Sequence, residues 1–241
     1  MVSQQSQRRI TIMDAPAVTV IVPTLNASTS IDNTLHSVIR EANSVLTRVE
    51  ILVIDGGSSD GTLERVARHS QVDILRQTSK GLAAARNEAV ANTDSPLVAF
   101  CDADDVWVAG SLAKKLEVLA ASPKAWAVSG RVRFEKIESG STGFPIKRRT
   151  GEEHSGYTPG AILVRRNTLE AVAFDERLSI AADTDWFIRT VSAFGDMTHL
   201  DETVLIKGLR AGSLSTDVRA YREELLISMW HHLRTVRRKQ Q

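Results

Sequence analysis

The sequence predicts an α/β fold in which a mainly parallel central sheet is flanked by helices and followed by a C-terminal helical tail. Three observations point there. Short apolar runs rich in β-branched residues alternate with segments whose apolar residues recur every three or four positions, the strand–helix–strand order that builds a parallel sheet. The apolar runs do not themselves alternate with polar residues, as expected of strands covered on both faces. Three of the runs also end on polar or acidic residues, and open α/β sheets bind ligands outside the carboxyl ends of their strands.

Val18 to Val22, closed by Pro23, is the first strand. From Ile31, apolar residues recur at Leu35, Val38, Ile39 and Ala42 on one helical face, with Thr29 and Ser30 available as caps. Glu50 to Ile54 is a second strand ending at Asp55. The turn Gly56-Gly57-Ser58-Ser59-Asp60-Gly61 follows, and helical spacing resumes over Thr62 to Arg68. Val72 to Leu75 reads as a third strand and the Ala-rich Gly81 to Ala91 as a helix. Pro96 to Cys101 is a fourth strand that runs into Asp102, Ala103, Asp104 and Asp105. After a helix over Ala109 to Ala121, strands are expected at Trp126 to Phe134 and Ala161 to Val164. The Gly-, Ser- and charge-rich stretch Glu135 to Tyr157 between them reads as a mobile loop. Asp183 to Phe194 is a helix and Val204 to Leu209 a strand, while Tyr221, Leu225, Met229, Leu233 and Val236 mark an amphipathic C-terminal helix.

Composition sets outer bounds on function. Thirty basic residues against 29 acidic ones leave a formal charge of +1, a balance that argues against a broad nucleic-acid binder. The 241 residues suffice for one sizeable core. A single cysteine, Cys101, excludes an internal disulfide or a thiolate metal cluster and fits a reducing cytoplasm. Residues 1–15 are polar and read as a disordered lead-in. They lack the apolar core of a secretory signal, and no apolar run reaches membrane-spanning length.

The chemistry concentrates at strand ends. Asp102 and Asp104, separated by one small residue where a strand stops, suit a divalent cation such as Mn²⁺ or Mg²⁺ whose remaining positions a diphosphate would fill. The competing reading is an exposed acidic turn with Asp105 capping a helix. Asp55 is placed either to accept from a ring N–H of a ligand or simply to start the Gly-Gly-Ser-Ser-Asp-Gly turn. Neither a G-x-G-x-x-G nor a G-x-x-x-x-G-K-[ST] motif is present, so a nucleotide must be held another way.

Four ordered segments resemble successive motifs of family 2 glycosyltransferases. They are Ile21-Val22-Pro23-Thr24-Leu25-Asn26, Val53 to Thr62, Gly81-Leu82-Ala83-Ala84-Ala85-Arg86-Asn87, and Phe100-Cys101-Asp102-Ala103-Asp104-Asp105-Val106-Trp107. The resemblance implies a GT-A fold of nucleotide-diphospho-sugar transferases over residues 16–216, with a nucleotide-binding half (16–107), an acceptor half (108–216) and a basic helix over 217–241. It implies a nucleotide-diphosphate sugar donor, usually a UDP-sugar, and inversion at the anomeric carbon. Carried over, Pro23, Thr24 and Asn26 line the nucleotide, Asp55 accepts from the base, and Lys80 lies near base or diphosphate. Asp102 faces ribose or metal, Asp104 is the main metal ligand, and Arg86 and Asn87 brace the site.

Ala182-Asp183-Thr184-Asp185-Trp186 matches the family segment that carries the general base, which makes Asp183 the base. Asp185 and Trp186 are then expected on the acceptor side. A helix N-cap is the competing role for Asp183. Two departures stand out. Ala182 replaces the usual Glu, a loss for which Asp185 would compensate. Arg210 replaces a metal-ligating His; Arg cannot ligate metal, but it can hold diphosphate oxygens bidentately. These departures motivate an alternative reading, a catalytically impaired nucleotide-sugar binding protein of the same fold. Sugar and acceptor are not legible, and glycan, lipid, peptide or small-molecule acceptors all stay open. The basic segment Arg234, Arg237, Arg238 and Lys239 suggests a peripheral contact with an anionic membrane, against the plainer reading of a packed helix with a solvated end.

Overall fold

The computed structural model describes residues 17–136, 151–209 and 218–239. The expected lead-in, most of the expected mobile loop and Arg210 lie outside them.

The strand–helix alternation of the first half is present: β1 (Val18–Thr24), α1 (Ile31–Ser44), β2 (Val49–Asp55), α2 (Thr62–Val66), β3 (Val72–Arg76), α3 (Leu82–Ala91) and β4 (Leu97–Phe100). Then follow β5 (Val106–Trp107), α4 (Ser111–Ala121), β6 (Ala127–Lys136), β7 (Glu153–Ser155), a 3₁₀ turn at Pro159–Ala161 and β8 (Leu163–Arg165). The chain continues through α5 (Arg166–Ala171), α6 (Ala182–Phe194), β9 (Thr198–Leu209) and α7 (Val218–Lys239). β5, β7 and α5 were not expected. Each is too short for a hydrophobic period to develop.

One sheet runs in the order β3-β2-β1-β4-β8-β6-β9-β5, with β7 also on β6. The pairings β3–β2, β2–β1 and β1–β4 are parallel, as expected. Beyond β4 the sheet becomes mixed: β8 is antiparallel to both β4 and β6, β5 is antiparallel to β9, and only β6–β9 is parallel. β7 and β8 return along one edge of β6, and antiparallel neighbours need no crossover helix. β6 and β9 lie so close at a register irregularity that a Cβ on Gly130 would sit 2.3 Å from Val204 Cγ1. Only glycine fits there.

Alternate residues of β1 feed two cores, as the strand period requires. Val18, Val20 and Val22 meet Ile31, Leu35 and Val38 of α1 on one face, and Ile21 meets Ala85 and Ala89 of α3 on the other. The small Ala side chains let α3 lie close against the sheet. At the open end, Thr24 is in register with Asp55, and Cys101 N–H extends the β4 ladder to Ile21 C=O at 3.0 Å. The loops after β1, β2 and β4 therefore leave the sheet on the same edge. Cys101 is wholly buried at that edge, its Sγ 3.8 Å from Asp105 C=O, and burial pushes its thiol pKa well up.

Candidate active site

Short polar turns build the first wall of the site. Asn26 has φ +49°, a left-handed conformation that Asn tolerates better than most residues. Its N–H donates to Ser58 Oγ and its Oδ1 accepts from Ser59 N–H, both at 2.9 Å. Asp60 accepts from Ser28 N–H at 2.9 Å and from Thr62 N–H at 3.1 Å. The loops after β1 and β2 are thereby sewn together. Asp55 is buried, and its carboxylate accepts from Gly57 N–H at 3.0 Å and Ser58 N–H at 3.1 Å. It thus organises its own turn, the plainer of its two sequence readings. Pro23 and Thr24 are buried, the Thr24 hydroxyl donating back to Val22 C=O at 3.1 Å, whereas Asn26 is exposed.

A third loop carries the exposed Lys80. Glu88 of α3 accepts from Thr78 N–H at 3.0 Å and from Ser79 Oγ at 3.0 Å, and Gln77 Nε2 donates to Gly81 C=O at 2.9 Å. Hydrogen bonds thus brace Lys80 on both sides.

The opposite wall is electrostatic. Arg86 of α3 is fully buried between the rings of Phe100 and Phe174, 5.8 and 5.4 Å from its guanidinium carbon. Its Nη2 donates to Asp102 Oδ1 at 2.8 Å and its Nη1 to Asp183 Oδ1. One guanidinium therefore joins the end of β4 to the start of α6. Lys207 of β9 bridges Asp102 Oδ2 at 3.1 Å and Asp105 Oδ2 at 2.7 Å. Asp105 is wholly buried and also accepts from Gly208 N–H at 3.2 Å, so it anchors β9 rather than capping a helix. Trp107 Nε1 donates to Gly160 C=O at 3.0 Å, tying the turn at Pro159–Ala161 to the same corner.

Titration follows from these pairings. Burial works to raise the Asp102 carboxyl, but Lys207 and Arg86 outweigh it and hold the group well below the usual carboxylate range. Burial also pushes Asp183 above the ordinary aspartate value, Arg86 offsetting only part of the effect. Asp183 keeps 30% of its side chain exposed, so it stays open to solvent.

Three sequence expectations change. Asp185 is buried and turned away, pairing with Arg189 at 2.6 Å and accepting from Ser228 Oγ at 2.6 Å. Trp186 has no exposed surface, stacks on Phe174 at 5.0 Å and donates its Nε1 to Val172 C=O at 2.7 Å. Asp185 therefore braces α6 and Trp186 fills the core; neither offers a face to an acceptor, and Asp185 does not make good the missing Glu at Ala182. The pairing of metal ligands also changes. Both Asp102 oxygens already face cations, and among the described residues no group of three or more His, Cys, Asp or Glu side chains is placed to hold a metal ion. Asp104, two residues beyond Asp102 on the same turn, is half-buried.

Lys207 and Glu224 are the parts that the sequence reading missed. A lone Lys ending the apolar run Val204-Leu205-Ile206 was a signal, because a charge in such a strand needs a carboxylate partner. Glu224 on α7 accepts from the N–H groups of Ser179, Ile180 and Ala181 at 2.8–3.1 Å, immediately before α6. No local pattern announces it.

Known proteins resemble this chain in sequence and in fold. The family described as Glycosyl transferase family 2 matches residues 19–172. The chain belongs to glycosyl transferase family 2. An Escherichia coli relative, the UDP-Glc:alpha-D-GlcNAc-diphosphoundecaprenol beta-1,3-glucosyltransferase WfgD, is 34% identical over 110 residues, 44% of this chain and 42% of that protein. The chain thus matches less than half the length of that relative. S. aureus TarS, crystallised with UDP-GlcNAc, superposes with a TM-score of 0.65 at 20% identity over 83% of this chain and 60% of that one. A Pyrobaculum calidifontis mannosyltransferase in complex with GDP-Man and Mn²⁺ has a TM-score of 0.61 at 25% identity, over 83% of this chain and 59% of that one. The fold is the GT-A fold.

Proposed function

We propose that this family 2 enzyme moves a sugar from a UDP-sugar to an acceptor hydroxyl with inversion, Asp183 serving as general base. The observation that carries the reading is the Arg86 guanidinium, which holds Asp102 of the nucleotide-binding half and Asp183 of the acceptor half on one rigid group. The UDP assignment draws on the UDP donors named for WfgD and TarS; GDP-Man in the mannosyltransferase makes guanosine the control.

Direct displacement needs one base and stabilisation of the departing diphosphate. The acceptor O–H gives its proton to the Asp183 carboxylate as its oxygen bonds the anomeric carbon. The bond from that carbon to the diphosphate oxygen breaks on the opposite face, and the nucleoside diphosphate leaves with the electron pair. Burial raises the proton affinity of Asp183, which suits a base that must take a hydroxyl proton. Arg86 keeps its carboxylate oriented and cannot itself be deprotonated. Asn26, Asp55 and Lys80 belong to the nucleotide side, and Arg210 to the diphosphate. A bound Mn²⁺ or Mg²⁺ on Asp104 would supply Lewis-acid stabilisation of the diphosphate charge. With Asp102 already neutralised by Arg86 and Lys207, dependence on that ion is expected to be partial.

Calorimetric titration of UDP, GDP and dTDP tests the donor side, with and without Mn²⁺, on wild type and Asp104→Ala. UDP selectivity, with its Mn²⁺ increment lost in Asp104→Ala, supports the reading; no nucleotide binding under any condition overturns it. The membrane contact belongs to the same proposal. Leu226, Ile227 and Met229 are exposed on α7, whose sequence turns basic toward its end. Among the described residues no helix is long and apolar enough to cross a membrane. Sedimentation with anionic and neutral vesicles checks the contact, an anionic preference lost at high salt being the expected result.

A further inference from the structure

Three side chains of α7 land on the few residues that surround Asp183. The Glu224 carboxylate collects the N–H groups of Ser179, Ile180 and Ala181 at 2.8–3.1 Å and the Ser179 hydroxyl. Tyr221 Oη lies 3.0 Å from Thr184 Oγ1, and Ser228 Oγ donates to Asp185 at 2.6 Å within a buried contact. Burial works to raise the Glu224 carboxyl, but the hydrogen bonds from Ala181, Ser179 and Ile180 outweigh it and draw the pKa below the usual value, so the group is ionised at neutral pH.

The physical effect is specific. Ser179 and Ile180 precede α6 and Ala181 is its N-cap, so their N–H groups find no partner inside the helix and something outside must collect them. No side chain of α6's own N-cap residue, Ala181, does so. One carboxylate from another helix gathers three consecutive amides, which fixes the path of residues 179–181 and hence the place where Asp183 emerges two residues later. Asp185 and Thr184 are held from the same helix on the other side. Arg86 grips the Asp183 carboxylate, while α7 grips the backbone that carries it.

We propose that Glu224 is a positioning residue for the general base, so that α7 forms part of the catalytic apparatus. This rests on the reading of Asp183 as the base. A displacement of about 1 Å at a reacting group costs on the order of 100-fold in rate, and freeing three amides permits a shift of that kind.

The experiment measures UDP release from UDP-glucose and UDP-GlcNAc in water, with UDP affinity by calorimetry, on wild type, Glu224→Ala, Glu224→Gln and Asp183→Asn. Glu224→Ala is expected to lower kcat about 10- to 100-fold while KM and UDP affinity stay within about twofold of wild type. Glu224→Gln keeps one accepting oxygen and recovers part of the loss. Wild-type kcat in Glu224→Ala, with Asp183→Asn inactive, overturns the positioning role alone. Full turnover in Asp183→Asn overturns the assignment of the base instead. A parallel loss of UDP affinity in Glu224→Ala marks a general structural role and also counts against the proposal. Amide hydrogen exchange provides a readout independent of turnover: in Glu224→Ala, exchange at Ser179 to Asp183 rises while β1 and α3 stay protected. Unchanged protection of those amides overturns the clamp.

Discussion

The two walls of the candidate site are built by opposite means. On one, Asn26, Asp55 and Asp60 accept from backbone amides of their own turn or of one neighbouring turn, so hydrogen bonds tie the loops after β1 and β2 together. On the other, Asp102, Asp105 and Asp183 are held by Arg86 and Lys207, groups 16 to 105 residues away in sequence. Turn bonds contribute about 1 kcal/mol each to a neutral acceptor such as Asn26 and about 1.5–3 kcal/mol to a carboxylate, whereas breaking a buried ion pair leaves an uncompensated charge and costs about 3–5 kcal/mol. The first wall should therefore tolerate single substitutions better than the second, and best of all at Asn26.

The sharpest contrast is expected at the base. Asp183→Asn should lower kcat for UDP-sugar turnover by roughly 10²- to 10⁴-fold and leave UDP affinity intact, a pairing that steady-state kinetics and calorimetry measure together. Because burial raises the Asp183 pKa, the ionised base is lost as pH falls through that raised value. The acid limb of wild-type kcat should consequently lie above the ordinary aspartate value of about 3.9, and a limb at or below it would count against the assignment.

Arg86→Ala comes next, since it takes the cation from Asp183 and leaves Asp102 with Lys207 alone. Urea denaturation should show a loss of about 3–5 kcal/mol, and a loss under 1 kcal/mol would remove the distinction between the walls. Lys207→Met is expected to cost about 1.5–3 kcal/mol at pH 8. Burial already pushes the Asp105 carboxyl up, and without the ammonium the main charge that opposes it is gone. A raised folded-state pKa favours the folded form below that value and loses the advantage as pH rises through it. The deficit of Lys207→Met against wild type should therefore shrink between pH 8 and pH 5 in parallel melts. Asn26→Ala is the smallest, about 1 kcal/mol for the left-handed residue and its bond to Ser59, while Asn26→Gly should recover much of it.

The same division explains what was legible in the sequence. Turn chemistry is local, so Asn26, Asp55, Asp60 and the alternating β1 to β4 could be placed from neighbouring residues. Asp183 was reachable through its resemblance to a family segment. Lys207 and Glu224 were not, because their partners lie about 100 and 45 residues away and only the closing of β9 and α7 onto the sheet brings them together. Asp185 and Trp186 show the converse failure. Spacing along α6 places them beside the base, but the face they occupy turns inward, and sequence position alone does not reveal which way a helix is rolled. The mixed half of the sheet escaped for a related reason: strand direction beyond β4 depends on long-range pairing.

Cys101 makes this architecture observable. It is the single thiol of the chain, sealed at the end of β4 one residue before Asp102. A thiol reagent can reach it only when that strand end opens, so the rate of labelling is a clock for the breathing of the catalytic corner. Comparing that clock with and without a nucleotide turns a silent core residue into a gauge of how tightly the corner closes, without adding a probe to the protein.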